Sequence, residues 1–371
     1  MRKFFFIVFV CWHFFIDLTS CGKSSENATD IKSVELMPVD SFWMDRLHSS
    51  QEEIMTLYPL NDTSIMGFDH FNQLNFYAKN SQVFRYKESK VLLPERSFSA
   101  FLSMNKSKKK FYLLAEKAIY VYDSVYHLKD SSKFTHTMPH LKYDYFVACS
   151  NFLPLINLGD TFVSYYSHSN ATDFFTTYKE PAFMEFTLAK TIDSVTTYLE
   201  KPSNLQFYEV GFLNFHAAIN NKLYKLYNGI DTLYEYNRLT HKEGKIPIRN
   251  KDYVLPEWSD SKNLFDFGYL TKRSLSNFSY TGMFHNPITG NTILFYNSPV
   301  SPAGDKNPTS KDQELKAIIL DSKLKVINYL NFKEEFFPTT TFFLYTNKGL
   351  AMPLDNEDPT REKTKFYIYN F

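Results

Sequence analysis

"AAINNKLYKLYN", residues 217–228, sets an apolar strand end and a tyrosine-rich strand on either side of the pair Asn220-Asn221. Asparagine tolerates the positive φ of a tight hairpin, so the pair marks a turn between two strands. The same unit returns as "NFYAKNSQVFRYK" from Asn75, "FYLLAEKAIYVYD" from Phe111 and "LINLGDTFVSYYS" from Leu155. It returns again as "PITGNTILFYN" from Pro287 and "FFLYTNKGLAMPL" from Phe342. With Asn80, Lys117, Gly159, Asn221, Gly290 and Lys348 as turn markers, the spacings are 37, 42, 62, 69 and 58 residues.

The strand after each turn is apolar on both sides, as in Ile119-Tyr120-Val121-Tyr122 and Ile293-Leu294-Phe295-Tyr296. A sheet with one wet face would alternate, so both faces of these strands are expected to be covered. A propeller meets that demand, because each blade is sandwiched between two others. The composition agrees: 37 Phe, 26 Tyr and 3 Trp favour strands. The expected fold is therefore all-β, a six-bladed β-propeller over residues 34–371, with seven blades or a β-sandwich pair as the alternative. Val34–Val39 is expected to supply the strand that closes the ring beside the last blade. "SFWMDRLHSSQEEIMTLY", from Ser41 to Tyr58, reads equally as a capped helix or as loop and strand. Ser301 to Gln313, rich in Pro, Gly, Asn and Asp, is expected to be a surface loop joining two strands of the fifth blade.

The N-terminus has a different character. Arg2 and Lys3 precede an apolar run from Phe4 to Ile16 that only His13 interrupts. About 13 residues is short for a membrane span and suits the core of a secretory signal. Directly behind it, Leu18-Thr19-Ser20-Cys21 resembles the lipobox of bacterial lipoproteins, although Asp17 sits unusually close to it. The resemblance implies a signal peptide over residues 1–20, lipidation of Cys21 and a polar tether over 21–33. Two or three acyl chains hold a protein on a membrane stably, each buried methylene adding about 0.8 kcal/mol.

Cleavage before Cys21 removes Arg2, Lys3 and Asp17 and leaves 39 basic and 39 acidic side chains. A chain of zero net charge lacks the basic footprint of a nucleic-acid protein, so no nucleic-acid partner is expected. The dense basic run Lys106, Lys108, Lys109 and Lys110 reads as a solvated turn before a strand. Cys11 leaves with the signal and Cys21 would carry lipid, so Cys149 has no partner for a disulfide and the fold relies on its core.

The lipobox, the hairpin "NNKLYKLYNGIDTLYEYN" from Asn220 and the ending "FFPTTTFFLYTNKGLAMPLDNEDPTREKTKFYIYNF" from Phe336 together resemble a family of Bacteroidetes lipoproteins with a domain of unknown function. That resemblance implies a six-bladed, TolB-like propeller in the cell envelope. It brings no catalytic residues with it.

Motifs for chemistry are sparse. His136 and His140 have the spacing of two metal ligands on one helical face, but Pro139 between them discourages the helix. Asp355-Asn356-Glu357-Asp358 lacks the alternating oxygens and central glycine of an EF-hand loop and reads as a solvated turn. No nucleophile elbow, phosphate loop, zinc-protease motif or paired C-x-x-C occurs, and no metal, cofactor or catalytic residue is assigned. Asn-x-Ser/Thr triplets at Asn27, Asn61, Asn105, Asn170 and Asn277 read as chance in a bacterial chain. Asp-Ser/Thr-aliphatic triplets at Ser124, Ser194 and Thr232 resemble sites of bacterial O-glycosylation.

The function expected from these features is a membrane-anchored envelope propeller that binds or scaffolds, with an envelope protein or glycan as partner. The alternative is an envelope enzyme acting on glycans or peptides through two carboxylates about 5–9 Å apart in the propeller funnel. The residues after Cys21 contain one acid, Glu26, and so lack an acidic export run, which favours the periplasmic side of the outer membrane over the cell surface.

Overall fold

The computed structural model describes residues 31, 33–45, 54–69, 73–91, 100–105, 110–115, 118–135, 145–148, 155–168, 181–200, 214–256, 267–286, 288–300, 312–332, 343–354 and 362–371. Ser33–Phe371 forms one compact unit. Its strands follow one another in antiparallel sheets that repeat along the chain.

The first blade is β3 (Ile54–Asn61), β4 (Ser64–Asp69), β5 (Gln73–Asn80) and β6 (Val83–Val91). The second is β7 (Ala100–Asn105), β8 (Lys110–Ala115), β9 (Ala118–Tyr122) and β10 (Leu128–Phe134). In the third, β11 (Tyr145–Ala148) and β12 (Ile156–Asn157) share the edge of β13 (Thr161–His168), followed by β14 (Pro181–Thr187) and β16 (Thr196–Glu200). The short β15 (Thr191–Ile192) lies between β14 and β16 in the chain.

The fourth is β17 (Asn214–Ile219), β18 (Lys222–Tyr227), β19 (Thr232–Asn237) and β20 (Lys242–Pro247). Helix α1 (Phe267–Ser276) then leads into the fifth, β21 (Ser279–His285), β22 (Thr292–Asn297), β23 (Leu315–Leu320) and β24 (Val326–Asn331). The sixth is β25 (Leu344–Thr346), β26 (Gly349–Pro353) and β27 (Lys363–Tyr369), completed by the N-terminal β2 (Asp40–Asp45). The first strands of consecutive blades approach one another, β17 beside β21 and β25 beside β3, as inner strands around a centre do. These are the six blades of a β-propeller.

Closure differs from the expectation for Val34–Val39. The strand that completes the last blade is β2, paired with β27 from Asp40↔Ile368 to Asp45↔Lys363. Ser33–Glu35 instead forms β1, which runs parallel to β24 at the edge of the fifth blade. The reason lies in the side chains. Phe42 and Met44 alternate inward along "SFWMD", whereas Val34, Met37 and Val39 are exposed. The ambiguous stretch Ser41–Tyr58 thus contains the end of β2 and the start of β3, and Ser41 caps no helix. Residues 301–311 lie outside the described residues, but the segment does join β22 to β23 within the fifth blade.

The six hairpins fall in six different blades, but not at the same place in each. Gly159, Asn221, Gly290 and Lys348 mark turns into the second full strand of their blades, whereas Lys117 joins β8 to β9 and Asn80 joins β5 to β6. The corresponding turn of the first blade is Asp62-Thr63; in the second blade the residues joining β7 to β8 lie outside the described residues. The two shortest spacings, 37 and 42, both involve a displaced marker.

The core is a ring of layers between blades. Leu223, Tyr227 and Tyr234 of the fourth blade pack with Val163 and Phe183 of the third. Phe42 of the sixth stacks on Phe366 at 4.8 Å and meets Phe84 of the first edge-on at 5.0 Å. Every residue of β22 is buried, as its unbroken apolar run requires.

Outer edges are joined in a recurring way. The end of one blade's outer strand meets the start of the next blade's outer strand or the turn before it. This pairing is a parallel bridge for β2 with β6, for β10 with β15 and for β24 with β1. Between the first and second blades, Lys90 Nζ donates to the Val125 carbonyl at 2.9 Å. Between the fourth and fifth, the Lys251 N–H donates to Tyr329 Oη at 2.7 Å. Such joints cover strand edges that would otherwise invite another chain.

Candidate functional site

Where the last blade meets the first, a cleft of about 350 Å³ opens on the side of the first-to-second-strand turns. Its floor is apolar, made by Phe42, Ile65, Phe84 and Ile368. Its lip is charged. Strand β2 contributes Asp40, the β3–β4 turn Asp62, the end of β5 Lys79 and the β25–β26 turn Lys348.

Local turn chemistry sets these side chains. Asn61 Oδ1 accepts the Thr63 N–H at 2.9 Å, an Asx turn that holds Asp62 at the tip. In the facing turn, Thr346 Oγ1 accepts the Lys348 N–H at 3.2 Å and donates to the Gly349 carbonyl at 2.9 Å. Gly349 has φ +140°, and a Cβ there would stand 2.1 Å from the Tyr369 carbonyl oxygen. Glycine is therefore required at this turn.

Lys348 Nζ donates to Asp40 Oδ2 across 308 residues of sequence. That hydrogen bond, with the Ser41 N–H on the other oxygen, holds the Asp40 carboxyl below its ordinary value. The same pair raises Lys348, helped by the charge of Asp62. Lys79 Nζ lies 5.8 Å from the centroid of the Phe84 ring in the floor. The result is an apolar slot rimmed by charges of both signs, suited to an amphipathic guest without large net charge.

A second cleft, of about 300 Å³, lies on the same side between the fourth and fifth blades. Tyr224, Leu239, Gly290 and Leu324 line it, and Lys222 forms an ion pair with Glu235 at 2.9 Å beside it. Two tyrosine–carboxylate pairs between the fourth and fifth blades are packed rather than open. Tyr280 Oη donates to Asp231 Oδ1 at 2.6 Å and Tyr296 Oη to Asp252 Oδ2 at 2.6 Å. Burial raises Asp231 above the ordinary carboxylate value despite its donors. Lys225 is fully buried between the third and fourth blades, 5.9 Å from the Phe183 ring and 5.6 Å from the Tyr227 ring.

The residues singled out by sequence lie elsewhere. Cys21, Cys149, His136, His140 and Asp355–Asp358 fall outside the described residues, as do Asn27 and Asn170. Lys110 opens β8 and is exposed, while the other lysines of its run are not described. Ser124 is exposed in a turn, Ser194 is exposed between β15 and β16, and Thr232 is half-buried at the start of β19. Asn61 caps its turn, Asn105 ends β7, and Asn277 is buried with its Nδ2 on the Arg273 carbonyl at 2.8 Å. Among the described residues no three His, Cys, Asp or Glu side chains gather where they could hold a metal ion. Among them, too, no helix is long and apolar enough to cross a membrane. Sequence reasoning missed the cleft, whose only signal was the expectation that the N-terminal strand joins the last blade.

Fold and cleft define the class: a six-bladed propeller with binding-sized openings between its blades. In sequence the chain matches no family model and no curated protein. In structure it is similar to a member of the DUF4221 family from Bacteroides vulgatus, with TM-score 0.69 and 12% identity over 92% of this chain and 99% of that one. It is also similar to a candidate exported protein of Bacteroides fragilis, with TM-score 0.52 and 11% identity over 94% of this chain and 98% of that one. Both neighbours come from Bacteroides, which fits the resemblance to a Bacteroidetes family of unknown function.

Proposed function

We propose that this chain is an exported envelope lipoprotein, anchored through Cys21, whose TolB-like propeller binds an envelope protein or glycan in the cleft between its last and first blades. On this reading residues 1–20 are the signal, 21–33 the tether and 34–371 the binding domain. The lipobox supports the anchor, and the export assigned to the Bacteroides fragilis neighbour agrees with an envelope address. The observation that carries the binding reading is the geometry of the cleft, an apolar floor of Phe42, Ile65, Phe84 and Ile368 beneath a lip of Asp40, Asp62, Lys79 and Lys348.

The test has two parts. Cys21→Ala should leave the chain unacylated by mass spectrometry and no longer retained on membranes; wild-type behaviour on both counts would remove the anchor. A photoreactive side chain at Asn347, on the cleft lip, should cross-link to a saturable envelope partner in intact cells. Ile65→Trp, which fills the slot, should abolish that cross-link; its persistence would refute the cleft as the binding site.

A further inference from the structure

We infer that the second cleft, between the fourth and fifth blades, is a binding site for a neutral saccharide. The site is separate from the cleft between the last and first blades and does not depend on a ligand there.

Four turns meet around this cleft. The β17–β18 turn supplies Asn220 and Asn221, and the end of β19 with its turn supplies Asn237 and Leu239. The β21–β22 and β23–β24 turns close the far side with Gly290 and Ser322; a Cβ on Gly290 would stand 3.5 Å from Ser322 Cβ. Lys222 is the one charged side chain among the described lining residues, and its charge is cancelled on the spot. Glu235 accepts Lys222 Nζ at 2.9 Å and also the Tyr224 hydroxyl. An anionic guest finds the lysine engaged, and a cationic guest finds the carboxylate engaged. What remains is neutral hydrogen-bonding capacity. Among the described residues, the side chains of Asn220, Asn221 and Ser322 make no hydrogen bond. Asn237 spends its Oδ1 on the N–H groups of Leu239 and Thr240, at 3.0 and 3.1 Å, and keeps its Nδ2 for a guest. Each amide sets donors beside an acceptor, and a sugar hydroxyl is both at once.

Neutral amides also suit a peptide, and the backbone decides between the two. Lys222 pairs with Ile219 on one side and with Asn237 on the other. The Arg238 N–H donates to the Asn221 carbonyl at 3.0 Å, and the Gly290 N–H to the Asn286 carbonyl at 2.9 Å. With the main chain thus engaged, a peptide has no strand ladder to extend. A saccharide needs only side chains. Its hydroxyls meet the asparagine amides and Ser322, while its C–H faces cover Ile219 and Leu239, the latter 72% exposed. A volume of about 300 Å³ limits the guest to a short stretch of glycan.

The experiment titrates the full chain with the neutral disaccharides maltose, cellobiose and diacetylchitobiose, read by saturation-transfer NMR and calorimetry. At least one should bind saturably. Asn221→Ala removes an amide without straining the turn, whose positive φ of 57° is carried by Asn220. Ser322→Trp fills the cleft from an exposed position. Each should weaken binding of the best disaccharide at least tenfold at unchanged Tm, whereas Val254→Ala, beyond the opposite end of β20, should not. No saturable binding of any of the three, or undiminished affinity in both cleft variants, would overturn the inference. Tighter binding of digalacturonate or of acetylated, amidated trialanine would also overturn it, by marking the cleft as an anion or peptide site. The Asn347 cross-link reports on the other cleft alone, so its failure would leave this result standing.

Discussion

Arg238→Met tests how the seam between blades three and four is held. Arg238 Nη2 donates to Glu185 Oε1 at 2.8 Å and Nε to Oε2 at 3.2 Å, while Tyr198 Oη donates to Oε2 at 2.8 Å. The two charged side chains are 24% and 20% exposed. Burial alone would raise the Glu185 carboxyl, but the donors from Arg238 and Tyr198 outweigh it and leave the carboxyl below 4.5. Methionine keeps much of the stem's packing and removes the guanidinium. It strands a mostly buried carboxylate whose strongest remaining donor is Tyr198. Removing one partner of a fully buried pair costs about 3–5 kcal/mol. Residual exposure and the Tyr198 bond bring the expected loss to about 2 kcal/mol near neutral pH.

The pH dependence supplies the sharper test. In wild type the lowered carboxyl adds stability above 4.5, and that stability is lost as pH falls through the folded value. In Arg238→Met the guanidinium's hydrogen bonds and charge are gone while burial remains, so the folded value moves up from that of wild type and the stability gained above 4.5 shrinks. The gap between the two proteins should therefore be small in acid and full at neutral pH, read by urea unfolding across that range. Glu185→Gln combined with Arg238→Met should recover part of the loss, because no charge is left to strand. A gap that does not change with pH, or one below about 0.5 kcal/mol at neutrality, would refute the reasoning.

Three further outcomes follow from the same geometry. Gly349→Ala should lower stability by about 3 kcal/mol or more, visible as a lower Tm, because the new Cβ meets the backbone of β27, the strand on which the closing strand β2 pairs. Tyr280→Phe should cost about 2 kcal/mol near neutral pH by taking the 2.6 Å donor from a desolvated Asp231. The folded value of Asp231, already raised, rises further, so this loss should grow as pH climbs above 3.8 in urea unfolding. Lys348→Ala, at an exposed ion pair, should leave Tm unchanged while weakening saturable capture of the cleft ligand in a pull-down.

What the sequence carried was the chemistry of individual turns. Asn220, with φ +57°, and Gly290, with φ +76°, take the backbone their residue types announce. The unbroken apolar runs at Ile119 and Ile293 became strands covered on both faces. Register within a blade was not legible, because a hairpin between strands three and four looks locally like one between strands one and two. Asn80 and Lys117 were misplaced for that reason, while Asp62-Thr63 drew no notice, its turn held by a side-chain acceptor from Asn61 rather than by glycine. The closing strand slipped for a related cause. Exposed valines at 34 and 39 look more strand-like than "DSFWMD", and only burial of Phe42 and Met44 against the first and last blades decides between them.

The cleft was beyond local reading for a stronger reason. Within a blade, contacts are local hairpins, and sequence patterns report them. Between blades, contacts join residues far apart, and side chains placed by separate hairpins meet only when the ring closes. Asp40 and Lys348 stand 308 positions apart, and Glu185 and Arg238 stand 53 apart. In this fold the seams are where charge can be concentrated without breaking a blade's apolar faces. They divide into two kinds. Glu185–Arg238 and Asp231–Tyr280 are closed and mostly buried, so removing either partner lowers stability. Asp40–Lys348 borders open space above an apolar floor, and a ligand can compete for its hydrogen bonds without unfolding anything. That asymmetry is why the joint between the last blade and the first, rather than the closed seams, is the site proposed for recognition.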